Sequence, residues 1–460
     1  MTGPQSSAQL DAALQALVGR QGPVQVAAHP VAGDEIRAWC GVMGEANARF
    51  LAGDAAPPAT LNIWTMPDRL EGSDAGRDDA QPQHAAYGLL DAAGFTGVVA
   101  TNSDQAYERL ILAGDVLSAQ TTLAGISAEK QTALGTGHFV TTEVAYTDGS
   151  GAPVGRLTFR IFKFRPGTGR GREEAPQDPG VDDEPPRRPR PRWNQDQAWH
   201  WEGLRERELR IQRFTDSGRL VHPPANADPV THGMDHDWVV ASGRGTLYSW
   251  TAPEHPQVPG FDYPLVVGLV ELEEGVRLVS NVVGLPSDQL EIGMPLELCW
   301  LDSHDDVTLH QFRPAQPGRR DGTLRRGEVA VGDRLPPCPV DVTRELVVGG
   351  ATATFDGQDV HHDPAAARAK GLPDVIMNIL TSSGVVARWL GDWAGNDAEF
   401  RNLRIGLGVS NHPDDVMTLT GSVEACEGDT VTVAFAGTNS LGRHVHGAAD
   451  LVLPDDGRGG

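Results

Sequence analysis

The chain is poor in cysteine, in positive charge and in long apolar runs, and each shortage excludes a class of function. Only four cysteines occur, Cys40, Cys299, Cys338 and Cys426, and none belongs to a Cys-x-x-Cys pair. Scattered singly, they fit reduced, mostly buried thiols in a cytoplasmic protein, with neither a disulfide framework nor a metal knuckle. No apolar run approaches the length of a membrane span. Met1 to Leu10 has neither the basic n-region nor the apolar h-region of a secretory leader. Lys and Arg number 38 against 62 Asp and Glu, a net charge of −24. That excess disfavours nucleic acid as a partner, because phosphates demand a basic surface. An anionic ligand would need a local cluster of cations or backbone N–H groups.

At 460 residues the chain has length for two to four domains with ample core, and its 54 glycines punctuate many turns. Residues 8–53 read as helical: Leu10, Ala13, Leu14 and Leu17 recur at helical spacing, as do Ile36, Trp39, Cys40 and Met43. Tyr87 to Ala93 reads as a short helix. Strands follow over Gly97 to Tyr107, Val116 to Ile126, Thr132 to Tyr146 and Pro153 to Phe164. Residues 166–195 are rich in Pro, Gly, Arg and acidic residues and include Pro185-Pro186-Arg187-Arg188-Pro189-Arg190-Pro191-Arg192. With so little to bury, they read as a disordered or extended linker. Residues 196–315 open with a helix from Trp199 through Leu209. Short strands then fall at 237–241, 245–251, 263–273, 276–283 and 295–301, the pattern of a small β-barrel. A shorter linker spans 316–325. The last region, 326–460, carries four more strand candidates, Phe400 to Val409, Met417 to Ala425, Thr430 to Gly437 and His444 to Leu453.

The chemistry concentrates between Thr354 and Gly391. Asp356 and His361 sit five apart in a polar stretch. Asp363 and Pro364 then start a short helix that Gly371 ends. Asp374 is placed to cap a longer helix closed by Gly391, with Val375, Ile376, Ile379, Leu380, Val386 and Leu390 on one face. A carboxylate and an imidazole held together form a general acid/base unit that works near neutral pH. The spacing alone fits equally a helix-capping loop with a solvated His.

The longer string decides between them. Phe355-Asp356-Gly357-Gln358-Asp359-Val360-His361 resembles the hydratase motif of the MaoC-like enoyl-CoA hydratases, Gly-Asp-x-Asn-Pro-x-His. Asp356 stands at the catalytic Asp and His361 at the catalytic His; Phe355, Gln358 and Asp359 replace Gly, Asn and Pro. His361-His362-Asp363, Val375 to Thr381, Gly391-Asp392-Trp393-Ala394-Gly395 and Leu407 to Pro413 resemble the catalytic subunit of actinobacterial steroid side-chain hydratases. In that family the start of the long helix supplies an oxyanion hole, and the resemblance gives that place to the backbone N–H of Asn378.

Pro57-Pro58-Ala59, Ile63-Trp64-Thr65-Met66, Gly97 to Asn102 and Lys130 to Gly135 resemble the non-catalytic subunit of the same hydratases. Where a catalytic loop would lie, the chain reads Phe50-Leu51-Ala52-Gly53-Asp54, with no Asp-x4-His. This half is expected to shape the acyl pocket and bind coenzyme A. Val221 to Pro224, Trp238 to Gly245 and Phe261 to Pro264 resemble an OB-fold domain of unknown function, number thirty-five, which carries a four-Cys zinc ribbon. Phe214, Ser217, Asp228 and Thr231 stand at the ligand positions, so no zinc is expected. Asp228, His232, Asp235 and His236 lack knuckle spacing.

The expectation is an α+β chain of two hot-dog domains, 1–165 non-catalytic and 326–460 catalytic, with an OB-fold barrel, 196–315, between them in sequence. The implied activity is hydration of an α,β-unsaturated acyl-CoA, with a steroid side-chain substrate, without a cofactor. The resemblance also implies a thiolase-like aldolase docked on the barrel and a homo-oligomer. A hydratase or thioesterase for other acyl-CoAs, and a non-enzymatic scaffold presenting acyl-CoA to an aldolase, are the competing readings.

Overall fold

A computed structural model of the chain describes residues 7–66, 80–169 and 186–455. They form two compact units. One joins the N-terminal region to residues 317–336 and the C-terminal region from 340; the other comprises the intervening barrel region up to 316, with 337–339.

In the first unit the N-terminal helical stretch divides into three. Helix α1 (Ser7–Gln15) buries Leu10 and Leu14, four apart. After a short strand β1 (Gln25–Val26), helix α2 (Gly33–Met43) buries Ile36, Trp39, Cys40 and Met43, and left-handed Gly44 ends it. Asn47 caps the single turn α3 (Ala48–Leu51). Pro82 in its first turn starts α4 (Pro82–Ala92). Strands β2 (Gly97–Tyr107), β3 (Ser118–Ile126), β4 (Lys130–Gln131), β5 (Thr136–Thr147) and β6 (Pro153–Phe164) follow.

The second unit opens with α5 (Ala198–Arg205), then β7 (Arg210–Phe214), β8 (Leu220–Val221) and β9 (His236–Val240), which form a small sheet in the order β8-β7-β9. Strands β10 (Arg244–Thr251), β11 (Val267–Leu272), β12 (Arg277–Val282), β13 (Pro295–His304) and β14 (Val307–Pro314) close into a barrel in the order β10-β11-β12-β14-β13. Leu247, Val270, Leu278, Leu296 and Phe312 fill it. At the ribbon positions, Phe214 is buried and the Ser217 hydroxyl donates to Asp228. Asp228 also accepts the N–H groups of Val230 and Thr231 at 2.7 and 3.3 Å, so hydrogen bonds hold this turn. Among the described residues no three His, Cys, Asp or Glu side chains gather as a metal site. Residues 186–195 of the first linker pack on the barrel: Arg188 stacks 4.5 Å from the Phe261 ring centre and Arg190 pairs with Asp306. Within this linker, residues 170–185 lie outside the described residues.

The C-terminal part of the first unit runs β15 (Cys338–Val342), α6 (Arg344–Ala353), α7 (Pro364–Ala369), α8 (Ile379–Ala394), β16 (Glu399–Leu407), β17 (Asp415–Glu427), β18 (Thr430–Asn439) and β19 (Gly442–Val452). Of the 16 residues of α8, 13 are buried, as a helix wrapped by a sheet requires. The N-terminal half repeats this plan, α4 followed by four long strands. The halves join in one sheet in the order β1-β3-β5-β6-β2-β16-β19-β18-β17-β15, with β4 paired to β5. The sheet is thus mirrored about a seam where the first long strands pair antiparallel, Asn102 opposite Gly406 through Ala106 opposite Asn402. This is a double hot-dog.

Helix α2 of the N-terminal half packs on α6 and α8. At Gly384 the approach is close enough that an added Cβ would lie 2.8 Å from Trp39 Cζ2 and 3.0 Å from Met43 Sδ. The second linker corrects the sequence reading. Arg319 reaches both halves, 3.0 Å from Glu45 and 3.1 Å from Asp392, and the Arg320 side chain donates to the Trp393 carbonyl at 3.0 Å. Residues 317–325 are a strap tied to the end of α8, because buried carboxylates need the cations that the segment carries.

Candidate active site

The site is built where α6 ends and α8 begins. Thr354 terminates α6, its hydroxyl donating to Gly350 O at 2.7 Å. Phe355 then takes φ 56°, in the left-handed region where the related motif has Gly. A non-glycine residue there carries about 1 kcal/mol of strain, and the turn aims Asp356 inward. A 3-10 turn, Asp359–His361, follows, and His361 is buried while His362 is exposed. Asp363 accepts the N–H groups of Ala365 and Ala366 and caps α7, as the sequence implies.

The long helix starts later than the sequence suggests. Asn378 is the cap, its Oδ1 accepting Thr381 N–H at 2.8 Å, and α8 continues past Gly391 to end before Gly395. Asp374 pairs instead with Arg344 at 2.7 Å and accepts Val375 N–H, and these contacts hold its carboxyl down to about 2. Residues 375–377 run extended because long-range bonds pin them: Ile376 N–H to Val360 O and Met377 N–H to Asn411 O, both 3.0 Å. Asn411, fully buried, is itself held by Asn439 Nδ2 at 2.7 Å.

This extended piece orients the histidine. His361 Nδ1 lies 2.7 Å from Ile376 O, and since a carbonyl only accepts, Nδ1 carries the proton. Nε2 is left facing Asp356 Oδ2 at 3.4 Å, with side-chain exposures of 9% and 14%. That gap exceeds a direct N–H···O bond, and a neutral imidazole and a carboxylate present one lone pair each across it. A hydroxylic molecule seated against both can give up a proton to either. Asp356 Oδ1 accepts Gln358 N–H at 3.3 Å.

The structure therefore brings Asp356, His361 and Asn378 together. The Asn378 side chain, rather than its main chain alone, enters the site: Nδ2 lies 3.0 Å from Asp356 Oδ2 and 3.0 Å from Thr354 Oγ1. Sequence reasoning missed Thr354, the Ile376 carbonyl and this side chain. Asn before an apolar run is an N-cap signal, and it was the clue available. Beyond the site, Ser382 Oγ meets His444 Nε2 at 2.9 Å inside the sheet. Burial, more than any neighbour, pushes the His444 imidazole below its usual range.

The part-buried Asp356 and the buried His361, beside the wrapped helix of a double hot-dog, match the MaoC hydratase class that the sequence resemblance implies. Comparison with known proteins places the chain further. Residues 16–157 match the family described as FAS1-like, dehydratase domain region, and residues 238–301 match the ChsH2 C-terminal OB-fold domain. The chain is similar to a probable enoyl-CoA hydratase alpha subunit of Thermomonospora curvata, 38% identical over 66% of this chain and 96% of that one. It is also similar to both subunits of the 3-oxo-4,17-pregnadiene-20-carboxyl-CoA hydratase of Mycobacterium tuberculosis. The alpha subunit is 35% identical over 63% of this chain and 92% of its own length; the beta subunit is 39% identical over 27% and 97%. The chain belongs to the MaoC-like enoyl-CoA hydratases, in the group of steroid side-chain hydratases.

Proposed function

We propose that this chain adds water across the double bond of a steroid side-chain enoyl-CoA, giving the β-hydroxyacyl-CoA, with Asp356 and His361 as the catalytic pair. The observation that carries the proposal is the convergence of Asp356 Oδ2 and His361 Nε2 at 3.4 Å, with Nδ1 of the histidine committed to Ile376 O. A water between them attacks Cβ as its proton passes to the pair. Electron density moves onto the thioester oxygen, which the N–H groups at the α8 N-terminus, beginning with Asn378, stabilise. The pair returns the proton to Cα, so H and OH have added across the bond and the site is regenerated with no cofactor consumed. Similarity to both subunits of a steroid-CoA hydratase supports the substrate class and a fusion of two subunits in one chain. The barrel's match to the ChsH2 OB-fold domain supports its role as the docking module for a thiolase-like aldolase that cleaves the product.

The test is turnover of a steroid-CoA whose double bond joins ring D to the side chain. Asp356→Asn and His361→Ala should each lower kcat by about 10²-fold or more, with unchanged thermal unfolding, while His362→Ala stays near wild type. Either variant retaining more than roughly a tenth of wild-type kcat would sink the assignment.

A further inference from the structure

An N-cap needs only an oxygen, and the Asn378 carboxamide does more than cap. Its Oδ1 accepts Thr381 N–H at 2.8 Å, which is the capping bond. Its two Nδ2 hydrogens point the other way, to Asp356 Oδ2 and Thr354 Oγ1, both at 3.0 Å. Thr354 commits its single hydrogen to Gly350 O at 2.7 Å and so presents only lone pairs to Asn378. A flipped amide would set oxygen against the carboxylate and nitrogen against an N–H donor. Three partners therefore specify one orientation. Both side chains are deeply buried, Asn378 at 3% and Thr354 at 0% exposure, so the amide is held in place from within the protein.

What the amide holds is the oxygen of Asp356 that faces His361. Oδ2 receives Asn378 Nδ2 and stands 3.4 Å from His361 Nε2, whereas Oδ1 accepts, among the described residues, the Gln358 N–H at 3.3 Å. Without the amide, the carboxylate is free to rotate about χ2 and its lone pair need not face the histidine.

We propose that Asn378 is a positioning residue: its side chain, oriented by Thr354 and by the first turn of α8, holds Asp356 Oδ2 as an acceptor opposite His361 Nε2. This rests on the assignment of Asp356 and His361 as the catalytic pair. It is separate from capping and from any part the Asn378 backbone N–H plays at the thioester oxygen, since only the side-chain nitrogen carries it.

Two substitutions separate the roles. Asn378→Ser keeps a good N-cap but is too short to reach Asp356. Its thermal unfolding should match wild type, while kcat for the same steroid enoyl-CoA falls by about 10- to 100-fold, as misplacement of a reacting group does. KM should change little. Asn378→Asp also caps, but sets a second carboxylate against Asp356, and two carboxylates in contact share a proton. The low-pH limb of its kcat profile should therefore move up by about one unit or more, which a residue that merely caps a helix would not cause. If the Ser variant keeps kcat within about threefold of wild type and the Asp variant leaves the limb in place, Asn378 is a cap only and the proposal fails. Asp356→Asn, run beside them, tells the two failures apart. If it is inactive while the Asn378 variants are normal, only the positioning role is lost; if it is fully active, the assignment of the pair falls and takes the proposal with it.

Discussion

Replacing Arg319 by Met tests whether the segment after the barrel is a strap. Its guanidinium lies 3.0 Å from Glu45 and 3.1 Å from Asp392, side chains only 4% and 7% exposed. Unit charges at that distance attract by about 5 kcal/mol at an effective dielectric of roughly 20. Burial opposes this and is the stronger influence, pushing both carboxyls above their usual range despite the cations. The intact network is therefore worth little net, but breaking it strands buried charge. Asp392 keeps Arg388 at 3.2 Å, whereas Glu45 keeps, among the described residues, the N–H groups of Ala46 and Asn47. The loss falls on Glu45, and we expect about 3 kcal/mol near neutral pH, the low end for a broken buried pair. A carboxyl raised on folding lowers stability above the unfolded value, because the unfolded chain has released a proton that the folded chain still holds. Removing Arg319 raises both carboxyls further, so the deficit is largest near neutral pH and shrinks as pH falls toward the unfolded range of about 4. Urea unfolding of wild type and Arg319→Met, at about pH 7.5 and pH 4.5, measures it. An equal deficit at both, or one below about 1 kcal/mol at the higher pH, refutes the argument.

Gly384→Ala drives a Cβ against Trp39 and Met43 and should destabilise the first unit by about 1–3 kcal/mol, read as a lowered unfolding midpoint; no change would mean the two halves do not bear on each other there. In the barrel unit, burial pushes His222 down to about 3 and His310 down to about 4. Both stay neutral when folded while the unfolded chain protonates near about 6.5, so barrel stability should fall as pH drops from there toward 4, and His222→Gln with His310→Gln should flatten that slope in a denaturant series.

The elements legible in the sequence were those with local causes. Gly97–Tyr107 and Pro153–Phe164 were readable to the residue, because turn residues bound them and alternation marks their faces. The Asp363 cap, the Asp356/His361 pair and its loop were readable too. What was not legible depends on distant partners. Asp374 and Asn378 are both good caps, and Val360 O and Asn411 O decide between them by holding 375–377 extended. The strap is invisible to local reading because Arg319 meets Glu45 across 274 positions. Strands β14 and β15 went unread. The Arg-Pro stretch read as solvated linker because the ring of Phe261 that covers Arg188 lies far along the chain.

The mirrored sheet has one more consequence. Strands β2 and β16 occupy the middle of the sheet only because each has the other; their ladder from Asn102 to Ala106 is sealed by Asn402 to Gly406. A chain cut between the halves would turn both into open edges with unpaired N–H and C=O groups, the template on which strands pair indiscriminately. Equal supply of the two halves is thus guaranteed by a single reading frame.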